Sequence, residues 1–478
     1  MIIERARRLA MRISRRALQE DVLQLAKLLI ESHPDPYSAG GGSLAFHRRI
    51  QGLLEAIPKE GSTARELLRL LRPLVASIQD GHTSIDLPAS AEEQTSHLRF
   101  WLDWEVVEGQ LYISGVYSPQ DTPLLGARLQ TLEGVPFAEL IERISQVRGC
   151  DNDSHKLVHL SRAFAYPDLL TDILGYQTLP PLLHLSLLLS NDNVHEVILP
   201  LSEEAPAEMV QPASALAIPA LNAAQMGWSF LDEEHKIACL RATSMRYYRE
   251  AFEFSQAIGN QVLLNARLEQ AIHTTMTEPL PEGIEARISA IPSATDLLCD
   301  LFSAMRQAQS THLIVDLRHN GGGNSIFAAM LLYFLYGLDK VLTIDDGYQI
   351  PRYSPHFFQT NKKLKPEDYQ EALANGGYDF SEETAWQKHQ HQGWSAEELK
   401  RKYENLHSLI ARMPTFAPIF EQRLWEASWT PQVLVLISAD TYSAGFDLAV
   451  SLYHQGLRFL VFPRHKRLTV LSIVYGIN

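Results

Sequence analysis

The sequence predicts an α/β fold preceded by a helical N-terminal domain, and three observations carry that expectation. The apolar run His312-Leu313-Ile314-Val315-Asp316-Leu317 meets a Gly-rich turn, Gly321-Gly322-Gly323, and then a helical pattern from Ser325 to Tyr336. A second strand, turn and helix follow at Val433–Ile437, Ser438–Gly445 and onward to Tyr453. Before residue 90 the apolar positions keep helical spacing instead: Val22, Leu25, Ala26 and Leu29 fall at i, i+3, i+4 and i+7.

Taken in order, the first helix must stop near His33-Pro34-Asp35-Pro36, because a proline bars helical geometry in the residue before it. Helical runs over 44–57 and 62–78 follow, and the second ends in the turn Asp80-Gly81-His82-Thr83. Between Leu98 and Cys150 the pattern changes to short strands. Leu111-Tyr112-Ile113 is one, and Gly126 to Pro136 reads as strand, turn, strand, closed by a helix from Phe137 to Val147. A helix over 155–173 and a Leu-rich strand over 181–190 come next, and 201–225 reads as an exposed linker. The strand Lys236–Leu240 opens a third region, with helical stretches up to Gln309. Residues 345–430, polar and aromatic, read as an inserted lid.

Composition bounds what the chain can do. Its 478 residues suffice for two or three domains, and 46% hydrophobic with 21% charged residues is ordinary for a packed globular protein. A net charge of −14 disfavours nucleic acid, whose affinity rests on Lys and Arg neutralising phosphates. Cys150, Cys239 and Cys299 lie far apart without metal or redox spacing, so they read as small buried hydrophobes. The Arg-rich N-terminus lacks the apolar stretch and cleavage site of a signal peptide, which makes the cytoplasm the default compartment. No stretch approaches the roughly 18 apolar residues of a membrane span.

Three elements carry candidate chemistry. Ser443 sits where an apolar strand turns into a helix, flanked by the small residues Ala444 and Gly445. Such a turn lifts a hydroxyl above the sheet beside the unpaired N–H groups of a helix start. Those donors can hold an oxyanion, at about 3–4 kcal/mol each. Serine is also a preferred helix N-cap, so the local motif alone leaves both roles open. The Gly321-Gly322-Gly323 turn can bring further N–H groups close to a ligand, although it lacks the spacing of a phosphate-binding loop. His82, held in a compact turn, is the candidate base among 18 histidines. His389 and His391 form an H-x-H pair without a carboxylate cluster, a poor metal signature.

Together these elements resemble the tail-specific (C-terminal-processing) serine protease family, in its tricorn-core and interphotoreceptor retinoid-binding-protein-like branch. Asp316-Leu317-Arg318-His319-Asn320-Gly321-Gly322-Gly323 is similar to that family's D-x-R-x-N-x-G-G turn. Thr441-Tyr442-Ser443-Ala444 resembles its T-x-S-A nucleophile turn, and Asp80-Gly81-His82-Thr83 its D-x-H-T/S base segment. The resemblance implies a ClpP/crotonase-like α/β core and hydrolysis of peptide bonds in a peptide or unfolded protein, without cofactor or metal. By the same carry-over Ser443 attacks the carbonyl and His82 takes its proton. Ala444 with Gly321 or Gly322 then holds the oxyanion. It further implies an N-terminal helical domain over 1–90 and a PDZ-like unit over 97–150 that captures peptide by strand addition. A connecting segment over 151–227 and a catalytic domain over 228–478, bearing the lid, complete the layout. Relatives are often exported, which would place this chain outside the cytoplasm.

Two departures from the family stand out. Lys466 follows Ser443 at a distance suited to the lysine-using branch, but within Pro463-Arg464-His465-Lys466-Arg467 rather than a Gly-Lys turn. After Val461 the family continues with a Gly-Glu-Pro-Thr-Gly type turn and a late acidic residue that orients the base. This chain ends differently, as a truncation would produce, and Asp447 is the nearest substitute carboxylate. The rival expectation is therefore an impaired or non-catalytic binder of peptides or small ligands with the same fold. An acyl-CoA-handling crotonase relative is a weaker third.

Overall fold

The computed structural model describes residues 11–86, 98–212, 218–259, 261–275, 281–343, 347–362, 364–422, 430–455 and 460–461. The chain divides into two units. One holds Met1–Ala213 and Gln349–Thr384, and the other Ser214–Tyr348 and Ala385–Arg464. The expected lid segment is thus shared between them.

In the first unit three helices, α1 (Arg15–Ser32), α2 (Gly42–Ala56) and α3 (Ala64–Ala76), bury one apolar stripe each around Leu18, Val22, Phe46, Ile50, Leu71 and Leu74. Burying each such side chain contributes about 1.5–3 kcal/mol. Helix α1 stops at His33, before Pro34, as the sequence requires. A capping box starts α3: Thr63 accepts from the Glu66 N–H, and Glu66 reaches back to the Thr63 N–H.

An antiparallel sheet follows in the same unit. Its strands are β1 (Arg99–Phe100), β2 (Leu102–Val107), β3 (Gln110–Val116), β4 (Arg128–Leu132), β5 (Val135–Pro136), β6 (Leu182–Leu188) and β7 (Val194–Ser202). They run in the order β1-β7-β6-β4-β3-β2, with β5 paired to β4. The β4–β5 turn is made by Glu133 and Gly134, both at positive φ (51° and 74°), which suits the twist of a tight hairpin. Because β6 pairs with β4 and β7 with β6, this sheet takes strands from both sides of residue 150.

Two expectations change here. The helix expected over 155–173 is two helices, α4 (Asp153–Ala163) and α5 (Pro167–Leu174), because Pro167 can start a helix but not continue one. Residues 194–202, given no element from sequence, form β7. Its exposed face mixes Val194 and Ile198 with Glu196 and Pro200, so the run lacks the clean apolar–polar alternation of a half-buried strand.

The second unit is a five-stranded sheet in the order β12-β11-β10-β9-β8. Here β8 is Met226–Phe230, β9 Ile237–Ala242, β10 His312–Asp316, β11 Gln432–Leu436 and β12 Leu460–Val461. Strands β9 to β12 are parallel and β8 is antiparallel. Parallel strands need both faces covered, and the strands read accordingly as near-continuous apolar runs. Helix α6 (Ala294–Ala308) precedes β10, α7 (Ile326–Tyr336) follows it, and α8 (Ala444–His454) follows β11. Helix α7 is apolar on nearly every face, with Phe327, Met330, Leu331, Leu332, Phe334 and Leu335 buried. Register pairs Leu313 with Ala238 and Val433, so the loops after β10 and β11 leave the sheet side by side. In open α/β sheets this carboxyl end is where ligands bind.

Candidate active site

The loop after β11 carries Ser443, and its backbone is unusual. Ser443 has φ 51° and ψ −131°, a region that residues with a Cβ avoid at a cost of about 1–3 kcal/mol. It stands at the N-cap position of α8, yet its hydroxyl does not cap the helix. Its carbonyl instead accepts from Phe446 and Asp447 (2.8 and 2.9 Å), starting α8. The capping role left open by the sequence is therefore not the one this serine plays.

What holds the strain is a set of hydrogen bonds between the two loops. Thr441 Oγ1 donates to the Leu317 carbonyl (2.8 Å) and accepts from the Ser438 N–H (2.9 Å). The Tyr442 N–H donates to the Asn320 carbonyl (2.9 Å). Asn320 is fully buried, and its Nδ2 donates to the Ala242 carbonyl at the end of β9 (2.9 Å) while its Oδ1 accepts from the Gly322 N–H (2.8 Å). Asp316, also buried, takes both the Nε and an Nη of Arg318 in a forked pair (2.9 and 2.7 Å). The spacing Asp-x-Arg-x-Asn thus ties the end of β10 to its neighbours on both sides.

Glycine is required at two places in this turn. A Cβ on Gly322 would lie 2.7–2.9 Å from the Tyr442 carbonyl, Ser443 Cβ and Ala444 N, so the backbone at Gly322 sits directly against the serine turn. A Cβ on Gly323 would lie 2.2 Å from the Met245 carbonyl, where the Met245 N–H bonds the Gly322 carbonyl (3.0 Å). Gly321 differs, since its Cβ position opens onto empty space.

The Gly322 N–H, expected as an oxyanion donor, donates to Asn320 Oδ1. Among the described residues neither the Gly321 nor the Ala444 N–H has an acceptor, and Ala444 is buried. Ala444 is the first residue of α8, where backbone donors have no intrahelical partner.

His82 lies in the first unit, on the turn after α3. Its N–H donates to Asp80 Oδ1 (2.9 Å), and its side chain is about a third exposed (37%) with Nδ1 3.9 Å from the same oxygen. Asp80 is buried, and burial opposes its charge. Hydrogen bonds from His33, Thr83 and the His82 N–H prevail and hold its carboxyl below the usual range.

Sequence reasoning gave no role to Asn320 or Thr441, although both lie inside the matched motifs. It also passed over His319, whose Nδ1 is 3.7 Å from Asp440 Oδ2 on the paired loops after β10 and β11. His389 stacks on Trp394, with ring centres 3.7 Å apart, and faces Glu398. No group of three or more metal-ligating side chains occurs among the described residues. Cys150 and Cys239 are buried, which pushes each thiol up to about 12. Asp447 lies in the first turn of α8, and Lys466 falls outside the described residues.

Residues 286–464, which contain both loops, match the family model of peptidase family S41. By that match the chain is a serine-type peptidase. Among solved structures it is similar to mature CPAF, with a TM-score of 0.51 and 12% identity over 94% of this chain and 83% of that one. Mature CPAF complexed with lactacystin gives 0.50 and 11%, over 94% and 84%. These likenesses are to the fold. No curated protein sequence matches the chain.

Proposed function

We propose that Ser443 is the nucleophile of this peptidase and His82 its general base. The observation that carries this is the Ser443 turn itself: a strained serine, pressed against Gly322 and followed by the unpaired N–H of Ala444. In the proposed reaction Ser443 Oγ attacks the scissile carbonyl carbon while its proton passes to a ring nitrogen of His82. The N–H groups of Ala444 and Gly321 receive the negative oxygen, Gly322 being spent on Asn320. Collapse breaks the C–N bond, and His82 returns the proton to the leaving amine. Water, activated by the same imidazole, then hydrolyses the acyl-serine ester.

The finer architecture belongs to the same reading. A parallel sheet with an antiparallel strand at one edge supports a ClpP/crotonase-like core for the second unit. The antiparallel sheet of 99–202, in which β2 ends the strand order, supports a PDZ-like unit that takes a peptide as an added strand. An unfolded polypeptide is then the natural substrate.

The test is cleavage of a fluorogenically labelled unfolded protein by wild type, Ser443→Ala and His82→Ala. Loss of turnover by at least about 10³-fold in both supports the assignment. Cleavage retained by Ser443→Ala overturns it.

A further inference from the structure

If His82 is the base, something must hold its ring in the tautomer that leaves Nε2 free. We infer that Asp80, two residues before it, is the positioning carboxylate of His82, and that His33 in turn fixes Asp80. The inference rests on the proposed role of His82 and deepens it.

The geometry is local to the first unit. The Asp35 N–H donates to His33 Nδ1 (3.1 Å), so the proton of neutral His33 is on Nε2. That Nε2–H points at Asp80 Oδ2, 3.2 Å away. Thr83 Oγ1 donates to the same oxygen. With Oδ2 doubly engaged, Oδ1 faces the His82 N–H at 2.9 Å and His82 Nδ1 at 3.9 Å. Closing this separation forms an Nδ1–H···Oδ1 bond, and catalytic hydrogen bonds are often long without substrate and tighten with it in place.

The loop around this pair is held at several points. The Gly81 N–H donates to Asp151 Oδ1 (2.9 Å), and Asp151 Oδ2 lies 3.4 Å from His155 Nδ1. Gly149 lets the backbone approach, since a Cβ there would sit 2.4 Å from the Asp80 carbonyl. Arg352 donates to the His33 carbonyl. A turn that only reversed the chain would need the Asp80 side chain to accept one backbone N–H. Here the carboxylate is buried, fixed on its far oxygen by a histidine and a threonine, and turned by its near oxygen toward an exposed imidazole.

The experiment uses the full chain, with ¹⁵N-labelled histidine and the His82 resonances assigned by their loss in His82→Gln. Wild type is expected to show the Nδ1–H tautomer, and Asp80→Asn to lose that preference. In parallel, kcat/KM of Asp80→Asn should fall about 10²–10⁴-fold through kcat, with KM little changed. A wild-type tautomer and unchanged kcat in a folded Asp80→Asn variant overturn the inference. Should that variant not fold, His33→Leu asks the same question. It removes the donor that fixes Asp80 and is expected to lower kcat about 10-fold at constant KM, while His33→Gln restores it. Wild-type kcat in His33→Leu overturns the inference equally. Failure of the base assignment looks different: His82→Ala would stay active, while Asp80→Asn still altered the His82 tautomer.

Discussion

Ser443 and His82 both stand on short turns that follow regular elements, but different forces hold the two turns. The serine turn is fixed through backbone: Thr441 and Asn320 bridge main-chain groups of two loops, and glycines permit contact closer than any side chain allows. Around it lies the apolar core formed by α7, α8 and the parallel sheet. The histidine turn is fixed through polar side chains, with Asp80, His33, Thr83 and Asp151 forming its frame. Steric substitutions should therefore break the first turn. Charge and proton substitutions should break the second.

Position 443 should show the largest effect. Ser443→Gly is expected to lose activity as fully as Ser443→Ala, yet to melt above wild type. Removing the Cβ releases about 1–3 kcal/mol of strain, against about 0.5–1 kcal/mol of added chain entropy. A Ser443→Gly variant that melts lower than wild type would mean the turn is not strained.

The glycines give the next contrast. Gly322→Ala places a methyl against the Tyr442 carbonyl at positive φ and should cost more than about 1 kcal/mol, with activity reduced to background. Gly321→Ala points into open space and should change stability by less than about 0.5 kcal/mol. Equal effects in urea melts would remove the distinction drawn between the two positions.

Asn320→Ala comes third. It strands the Ala242 carbonyl and the Gly322 N–H in a buried setting, at about 1–3 kcal/mol each. The turn that carries Gly321 would then lose its anchor to the end of β9, so kcat should fall with stability. A variant with full stability would show that water replaces the amide.

The smallest effect concerns acid stability of the first unit. The Ser62 hydroxyl, then the Thr63 N–H and hydroxyl, hold the Glu66 carboxyl at about 2, against an ordinary 4.5. A depressed carboxyl adds stability above its unfolded value and loses it as pH falls toward the folded one, so this contribution fades between about 4.5 and 2. Asp80, lowered from 3.8, acts with the same sign below that pH. Glu66→Gln should flatten the part of the acid melting curve between pH 4.5 and 2. A curve identical to wild type would assign that limb to other groups.

Much of the second unit was legible in the sequence, because its signals are local. Strand β10 with α7, and β11 with α8, were each visible as an apolar run, a small-residue turn and a helical pattern. The family resemblance of the two motifs implies that Gly322 and Ser443 share one site. What stayed hidden depends on pairing across long separations. Strand β7 lacks clean alternation because Val194 and Ile198 sit on its exposed face beside Glu196 and Pro200, and its seven-residue register with β6 is what defines it. Pro167 was readable as a helix start and was overlooked. That the Gly322 N–H is spent on Asn320 depends on an amide orientation that no pattern of residue types encodes. The contact between Asp80 and His33 was likewise hidden, because the two lie 47 residues apart in sequence.

The most direct test of the central claim is labelling with a fluorophosphonate probe, followed by peptide mapping of the adduct. The account predicts one modified residue, Ser443, with labelling abolished in Ser443→Ala and reduced at least about 10²-fold in His82→Ala. Folded wild-type protein that takes no label, or that carries the adduct on another serine, would contradict it.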